Sequence, residues 1–474
     1  MRRNLVIYAC RGLRADALAT ARAWPMATDT LVALGARGLC VNAVAAATAD
    51  EPARVSLLTG LAPNQHGRQT PAEPDEAPQT LTDSFVHQLA DAGYHTAGVG
   101  CVEPIASALT ESITVADVHR VRPDACDYYT ACRRTGVLAA VMAQRNQRRR
   151  GGPLEPDRLL LEPSTDIDGF IARRAAELAE SLPTTRPWAL IIAFSGPGNA
   201  LPPPSLYDGI VPAEELAHGV TGIDHARAAT LGSPAWPRST MERLTPDRAA
   251  RLRADYLGRV SLIDYAVKRV DQRLQERSDA SRLWSIVASD RGYALGAHGL
   301  VGDRVVLPGV VHTPIIVAGP RGYRPADEVA EAAADALVST TDVAATVADL
   351  AVTDEPDGCA GHSLVAALRG QGLNPRAAAV TETPDRISIE TARHRLILDR
   401  ATGQPTALFN ALTDPDQRQD LLHPADGPPD ERWVRARVEP LKARLADAWL
   451  AASARPNVFA HEPATHRGAV TDPA

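Results

Sequence analysis

Near its start the chain reads Asn4-Leu5-Val6-Ile7-Tyr8-Ala9-Cys10-Arg11-Gly12-Leu13-Arg14-Ala15-Asp16, an apolar run that leads into charged residues and a glycine. Residues 4–9 are rich in Leu, Val, Ile and Ala without strict alternation, which is typical of a β-strand covered on both faces. Runs of the same kind recur at residues 95–99, 188–194, 283–288 and 314–318. Sheets built from such strands carry their sites at the carboxyl ends of the strands.

Amphipathic segments separate these runs, at residues 29–38, 82–93, 169–181, 246–276 and 341–350. In residues 246–276, apolar side chains recur at helical spacing while Arg and Asp occupy the other faces. Strands that alternate with helices predict an α/β fold with a doubly wound, mostly parallel sheet, which we place at residues 1–374. Within it, the basic, Gly-rich residues 145–156 predict an exposed loop.

The pattern changes after about residue 375. Short strands are expected at 378–382, 387–391, 396–399 and 407–410, followed by a helix at 439–452. They predict a smaller C-terminal α+β subdomain, an antiparallel sheet plus a helix, at residues 375–455. Residues 456–474 lack periodicity, and we expect them to form a flexible tail.

The composition indicates a soluble globular protein, since 45% of the 474 residues are hydrophobic and 23% are charged. The formal net charge of −7 argues against a broad nucleic-acid-binding surface. Because no apolar run reaches roughly 18 residues, we expect no membrane span. The first apolar run is too short for a signal peptide, so we expect a cytoplasmic protein. The six cysteines lack C-x-x-C spacing and are expected to be free thiols.

Several phrases resemble, in order, those of the sulfatase branch of the alkaline phosphatase superfamily. Residues 4–16 are similar to the opening strand and metal-binding turn of that family. Pro52-Ala53-Arg54-Val55-Ser56-Leu57-Leu58-Thr59-Gly60 looks like the signature around its nucleophile. Further matching phrases are Pro63-Asn64-Gln65-His66-Gly67, residues 93–100, Ser261-Leu262-Ile263-Asp264, Ser289-Asp290-Arg291-Gly292, Gly296-Ala297-His298-Gly299 and Leu408-Phe409-Asn410 with Thr413-Asp414-Pro415. The resemblance implies a sulfatase-like fold over nearly the whole chain.

The residues that the resemblance places at the family's metal site and nucleophile depart from its pattern. The Asp or Asp pair that binds the divalent ion after the first strand is replaced by Arg11 and Gly12. The Cys or Ser nucleophile is replaced by Asp50, although the following Pro and Arg54 are kept. The second metal-binding pair survives only as Asp290, with Arg291 beside it.

Other positions of the implied site are also substituted. The family's Lys and His after the Gly-Val-Gly phrase are Cys101 and Glu103, and the His after the middle strand is Gly198. A later Lys corresponds to Asp303, and an Arg before the next strand corresponds to His312. His66 and His298 match phrases away from the metal, so we expect local packing roles for them. For Cys10 and Cys101, which border the expected cleft, a buried inert thiol is favoured over a reactive one.

The charges at the implied metal site predict that no metal ion binds and that no cofactor is used. Arg11 and Arg291 balance Asp50 and Asp290, so the formal sum is zero before any ion is added. At about 4 Å and an effective dielectric near 20, a unit-charge pair is worth roughly 4 kcal/mol, and a divalent ion facing one Arg would cost about twice that. An Asp also cannot become formylglycine.

Three interpretations of the substituted site remain open, and one of them is residual hydrolysis of sulfate or phosphate esters. In the second, the arginines merely replace the ion as counter-charges in a non-catalytic relic. In the third, the cleft binds a small anionic ligand or substrate and uses acid/base chemistry or polar recognition. The candidate catalytic residues are Asp50, Glu103 and Asp303. The candidate ligand-binding residues are Arg11, Arg54, Asp290, Arg291 and His312.

Overall fold

The computed structural model describes residues 2–18, 24, 28–69, 80–115, 126–151, 154, 161–198, 201–216, 225–234, 236, 238–325, 336–371, 373, 376–424 and 427–451. The expected tail at 456–474 lies outside them. The strands are Asn4–Arg11 (β1), Gly38–Val44 (β2), His95–Gly100 (β3), Glu111–Thr114 (β4), Trp188–Pro197 (β5), Leu283–Ser289 (β6), Ala294–Leu295 (β7), Val301–Gly302 (β8), His312–Ala318 (β9), Val338–Ser339 (β10), Ala379–Glu382 (β11), Arg386–Glu390 (β12), His394–Asp399 (β13) and Pro405–Asn410 (β14).

Eight of these strands form one central sheet in the order β10-β2-β9-β6-β1-β5-β3-β4. Only β9 runs antiparallel to its neighbours in this sheet, so the sheet is mostly parallel. The central strand β1 alternates between two cores, since Leu5 and Ile7 belong to one buried cluster and Val6 and Tyr8 to the other. Burial on both faces explains why the sequence of β1 is apolar without alternation.

Helices cover both faces of the sheet, as the doubly wound pattern predicts. The helices are Asp29–Gly35 (α1), Asp50–Thr59 (α2), Pro63–His66 (α3), Phe85–Asp91 (α4), Asp127–Arg134 (α5), Leu138–Gly151 (α6), Ile167–Ser181 (α7), His225–Leu231 (α8), Arg238–Met241 (α9), Pro246–Gln275 (α10), Pro308–Val311 (α11), Asp342–Ala351 (α12), Val365–Leu368 (α13) and Glu431–Ala451 (α14). Helices α1, α7 and α10 contribute to one core, and α2, α4 and α12 to the other. The predicted fold class is confirmed.

The prediction of an exposed loop at 145–156 is wrong for its first part, because residues 138–151 form helix α6. Arg145 is buried, and its guanidinium lies 5.1 Å from the ring centre of Tyr129. Arg145, at the start of this segment, is therefore held by a cation–π contact with a residue of the preceding helix rather than solvated.

Strands β11 to β14 form a separate antiparallel sheet in sequential order, and helix α14 packs on it. The junction with the central sheet runs through residues 46–48, which directly precede helix α2. Glu382 of β11 donates its backbone N–H to Ala46 and accepts one from Thr48. The segment that leads into helix α2 is thus held by the C-terminal sheet. Among the described residues, no helix is long and apolar enough to cross a membrane.

Candidate active-site cleft

The implied site residues come from three elements that meet at one edge of the central sheet. Arg11 is the last residue of β1, and Asp290 and Arg291 directly follow the neighbouring strand β6. Asp50 is the first residue of helix α2, where the partial positive charge of the helix N-terminus favours a carboxylate. The carboxyl ends of parallel strands lie at the same edge, which explains how residues so far apart in sequence come together.

Asp50 is surrounded by guanidinium groups. Its Oδ1 accepts a hydrogen bond from Arg11 Nε at 2.5 Å and lies 3.1 Å from Arg291 Nη1. Its Oδ2 pairs with Arg11 Nη2 and lies 3.4 Å from Arg54 Nη2. A carboxylate offers about four lone-pair sites. Four guanidinium nitrogens thus surround a carboxylate whose side chain is 20% exposed.

Arg291 links Asp50 to two further carboxylates. Its Nη1 lies 2.8 Å from Asp290 Oδ2, while its Nε and Nη2 lie 2.9 and 2.8 Å from Asp303 Oδ2. The Arg291 side chain is only 3% exposed, so these charges interact largely out of water. We call Arg11, Asp50, Arg54, Asp290, Arg291 and Asp303 the charge cluster. It holds three positive and three negative side chains, and its formal charge is zero.

Two glycines meet next to Arg11, beyond the carboxyl ends of β1 and β5. Gly12 has a φ of +79°, and a Cβ there would lie 2.6 Å from the Cα of Gly198. The backbone N–H of Gly198 in turn donates to the carbonyl of Arg11. These are the positions at which the resemblance places a metal-binding Asp and a His. Because the two backbones touch, neither position can carry a larger side chain without moving the other.

The residues of the charge cluster do not fit a divalent cation. A guanidinium has no lone pair to donate and stays protonated, so Arg11 and Arg291 cannot act as ligands. Asp290 Oδ1 already accepts the backbone N–H groups of Gly12 and Arg291, and its Oδ2 faces Arg291 Nη1. Among the described residues, no three His, Cys, Asp or Glu side chains are grouped so that they could hold a metal ion.

A small cavity of about 40 Å³ adjoins the cluster. Arg11, Arg54 and Asp290 supply its charged lining, and the rest is almost wholly apolar. Cys10 and Cys101 also line it. Burial raises the pKa of the Cys10 thiol, so this sulfur stays protonated and behaves as an apolar group. This agrees with the expected inert thiol.

Two predicted site residues lie outside the charge cluster. Glu103 is half-buried at the start of a short 3-10 helix, and the described lining of the cavity includes its neighbours Cys101 and Ile105 but not Glu103. His312 Nε2 instead lies 2.9 Å from Glu390 Oε1 and 2.9 Å from Arg395 Nη2. The structure therefore brings together Arg11, Asp50, Arg54, Asp290, Arg291 and Asp303, and it places His312 at the junction with the C-terminal sheet.

The partners of His312 were missed by the sequence reasoning. Glu390 and Arg395 face each other across the β12–β13 pair, and both are buried. Burial raises the pKa of Glu390, but the charges and hydrogen bonds of His312 and Arg395 outweigh it and lower this pKa to about 2. The sequence did contain a signal for these partners, because a Glu and an Arg within successive short apolar strands are expected to pair when buried.

The two histidines expected to have packing roles make local contacts. His66 Nδ1 accepts the backbone N–H of Arg68, so its Nε2–H faces Ser56 Oγ at 3.1 Å. Burial lowers the pKa of His66 to about 3, so the imidazole is neutral near pH 7. His298 Nε2 contacts the carbonyl of Asp416 at 3.0 Å.

Comparisons with known proteins agree with this fold. A phosphonate monoester hydrolase of Agrobacterium radiobacter is 17% identical, with 96% of this chain and 95% of that chain covered and a TM-score of 0.70. A phosphonate monoester hydrolase of Silicibacter pomeroyi is 18% identical, with 95% and 94% covered and a TM-score of 0.71. A 2-O GAG sulfatase is 16% identical, with 96% and 93% covered and a TM-score of 0.67. No curated protein matches the sequence. A sequence model of the family described as Sulfatase matches residues 13–353.

Proposed function

The chain belongs to the sulfatase family, and from this premise we propose that it is a non-hydrolytic member whose cleft binds a small anion without a metal ion. The observation that carries the proposal is the set of four guanidinium contacts around Asp50. The nucleophile position and both cation-binding positions have become parts of one ion-pair cluster. The proposal makes the protein a pseudoenzyme with respect to sulfatase chemistry.

The occupancy of Asp50 argues against ester hydrolysis. A nucleophile or a general base must present a lone pair to its substrate. Four guanidinium nitrogens lie within 3.4 Å of the Asp50 carboxylate and compete with a substrate for it, and Asp303 Oδ2 is engaged by two nitrogens of Arg291. A donor set that does not fit a divalent ion also leaves no Lewis acid to polarise a sulfuryl or phosphoryl group.

The distribution of charge within the cluster favours an anion. Arg11 and Arg54 both converge on Asp50, so this part of the cluster has a formal charge of +1. Arg291 with Asp290 and Asp303 forms the other part, whose formal charge is −1. A guanidinium carries five N–H donors in a planar fork, which suits sulfate, phosphate or carboxylate. Anion binding is therefore expected at Arg11 and Arg54, in competition with Asp50.

Asp50→Asn tests this role, because catalysis and charge competition predict opposite results. If Asp50 competes with the ligand, its neutralisation removes a negative charge about 5 Å from the anion, worth up to about 3 kcal/mol at an effective dielectric near 20. Inorganic sulfate should then bind the variant at least about tenfold more tightly than the wild type by calorimetry. Arg54→Gln should weaken sulfate binding by a similar factor.

Asp303→Asn is the matched control, since it removes a carboxylate of the same cluster from the side of Arg291 and should change sulfate affinity less. Hydrolysis of aryl sulfate, phosphate and phosphonate esters is measured in parallel, with Ca²⁺, Mg²⁺ or Mn²⁺ added. Turnover by the wild type that depends on Asp50 would contradict the proposal. Sulfate affinity that is unchanged in both Asp50→Asn and Arg54→Gln would contradict it as well.

A further inference from the structure

The cavity beside Arg11 and Arg54 limits the kind of anion that the cleft can hold. It is lined on its uncharged side by Leu57 and Leu58 of helix α2, Ile105 of the short 3-10 helix and Phe194 of β5. These side chains belong to the buried cores of the protein and are fixed by them. A rigid apolar wall next to two guanidinium groups is complementary to an anion that carries a hydrocarbon chain.

We propose that the ligand is a small monoanion, a carboxylate or a sulfonate, with a short unbranched apolar chain of a few carbon atoms. The inference rests on the proposed function, because the head group must bind at Arg11 and Arg54 for the chain to enter the cavity. Those two arginines both contact Asp50 and line the cavity, so a head group held by them lies at its mouth.

The size of the cavity sets the length of the chain. The space open to the centres of water-sized atoms is about 40 Å³, and packed core side chains surround it. Only a short chain of a few atoms therefore fits. A longer chain would have to displace packed core side chains, and overpacking of such a core is unfavourable.

The charge of the lining sets the charge of the ligand. Arg11 and Arg54 contribute +2, while Asp290 in the lining and Asp50 on both arginines contribute −2, so one charge on the ligand is favoured over two. Because the Cys10 thiol stays protonated, it adds no charge to the wall. A divalent anion such as sulfate or phosphate should therefore bind more weakly than a monoanion, and a neutral alcohol would lack the charge that the arginines attract.

The test is a chain-length series measured by calorimetry on the full-length protein, with inorganic sulfate, acetate, butyrate, hexanoate and 1-propanesulfonate. Each methylene that enters the cavity should tighten binding about fourfold, from the roughly 0.8 kcal/mol gained per buried CH₂. Butyrate should therefore bind about fifteenfold more tightly than acetate, and hexanoate should bind more weakly than butyrate. Butyrate and 1-propanesulfonate carry the same three-carbon chain, so their comparison shows which head group the arginines prefer.

The series also separates the two proposals. If sulfate or acetate binds but the affinity for the carboxylates does not depend on chain length, or rises steadily to hexanoate, the inference about the cavity is overturned and the proposed function stands. If none of the anions binds, both are overturned.

Ile105→Ala, which lengthens the cavity, should move the optimum from butyrate toward hexanoate. Ile389→Ala makes the same truncation in the C-terminal sheet and should keep the wild-type preference. If Ile105→Ala does not fold, Leu58→Ala provides a second enlargement of the same wall. An enlarged variant that folds and still prefers butyrate would also overturn the inference.

Discussion

Replacing Arg291 by Met is expected to destabilise the protein more than any exposed ion-pair variant. The substitution keeps much of the side-chain length but removes the guanidinium that joins Asp50, Asp290 and Asp303. The Arg291 side chain is 3% exposed, and those of its partners are 20%, 7% and 11% exposed. Asp290 and Asp303 would lose the guanidinium that they share, Asp50 would keep only Arg11 and Arg54, and little water is available to screen the remaining charges.

The expected magnitude follows from these contacts. At 3–4 Å and an effective dielectric near 20, each charge pair is worth roughly 4–6 kcal/mol before desolvation is counted. Removal of one partner of a buried ion pair costs about 3–5 kcal/mol, because the remaining charge stays buried. We therefore expect Arg291→Met to lower the free energy of unfolding by about 3–5 kcal/mol, as measured by urea denaturation.

A double-mutant cycle with Asp303→Asn refines this test. If Arg291 and Asp303 interact as the 2.8 Å contact indicates, the double variant should lose about 1–3 kcal/mol less than the sum of the single losses. Arg173→Met, which breaks the exposed pair with Glu177 on helix α7, is the control and should cost less than about 1 kcal/mol. A loss below 1 kcal/mol for Arg291→Met, or additive effects in the cycle, would refute the reasoning.

Three further predictions follow from other parts of the molecule. Ca²⁺, Mg²⁺ or Mn²⁺ at millimolar concentration, or EDTA, should leave the unfolding midpoint unchanged, whereas a ligand of the native state would raise it. Because the folded pKa of His66 (about 3) lies below its unfolded value near 6.5, its stabilising contribution is complete above pH 6.5 and is lost as the pH falls toward 3. Between pH 7.5 and 5, the free energy of unfolding of the wild type should fall by about 2 kcal/mol more than that of His66→Gln, as measured by urea titrations. Equal falls would contradict this. Glu382 is 2% exposed, and its carboxylate is held by Arg400 Nη2 and the N–H of Asn64. Glu382→Gln should therefore lower the free energy of unfolding by about 3 kcal/mol in urea titrations, and a loss below about 1 kcal/mol would contradict this.

Apolar runs revealed the parallel strands because burial on both faces removes the need for polar residues. The runs at 4–9, 95–99, 188–194, 283–288 and 314–318 all correspond to observed strands. Strand β2 was not predicted, since its residues Cys40 and Asn42 are exposed and interrupt the run. Its place in the sheet depends on pairing with β9, which lies about 270 residues later in the chain. No local sequence pattern predicts such a long-range pairing.

The charge cluster was largely predictable, because its members stand at motif positions whose spacing survives. The prediction for His312 shows the limit of that approach. A motif position fixes where the backbone runs, but the partners of a side chain depend on what packs against it. Glu390 and Arg395 reach His312 from a different sheet and are about 80 residues away in sequence.

The substitution of arginines for a cation has a chemical consequence that goes beyond charge balance. A divalent ion accepts lone pairs from its ligands and from a substrate oxygen, and so it both holds and activates the substrate. The guanidinium groups of Arg11 and Arg291 supply comparable positive charge, but they hold carboxylates and anions only through N–H donors in fixed directions. With Gly12 and Gly198 in backbone contact, neither position can carry a metal-binding side chain without a shift of the backbone. Under the proposed function, the site recognises an anion through guanidinium N–H donors and is stabilised by it, without the lone-pair acceptance that a divalent ion would supply.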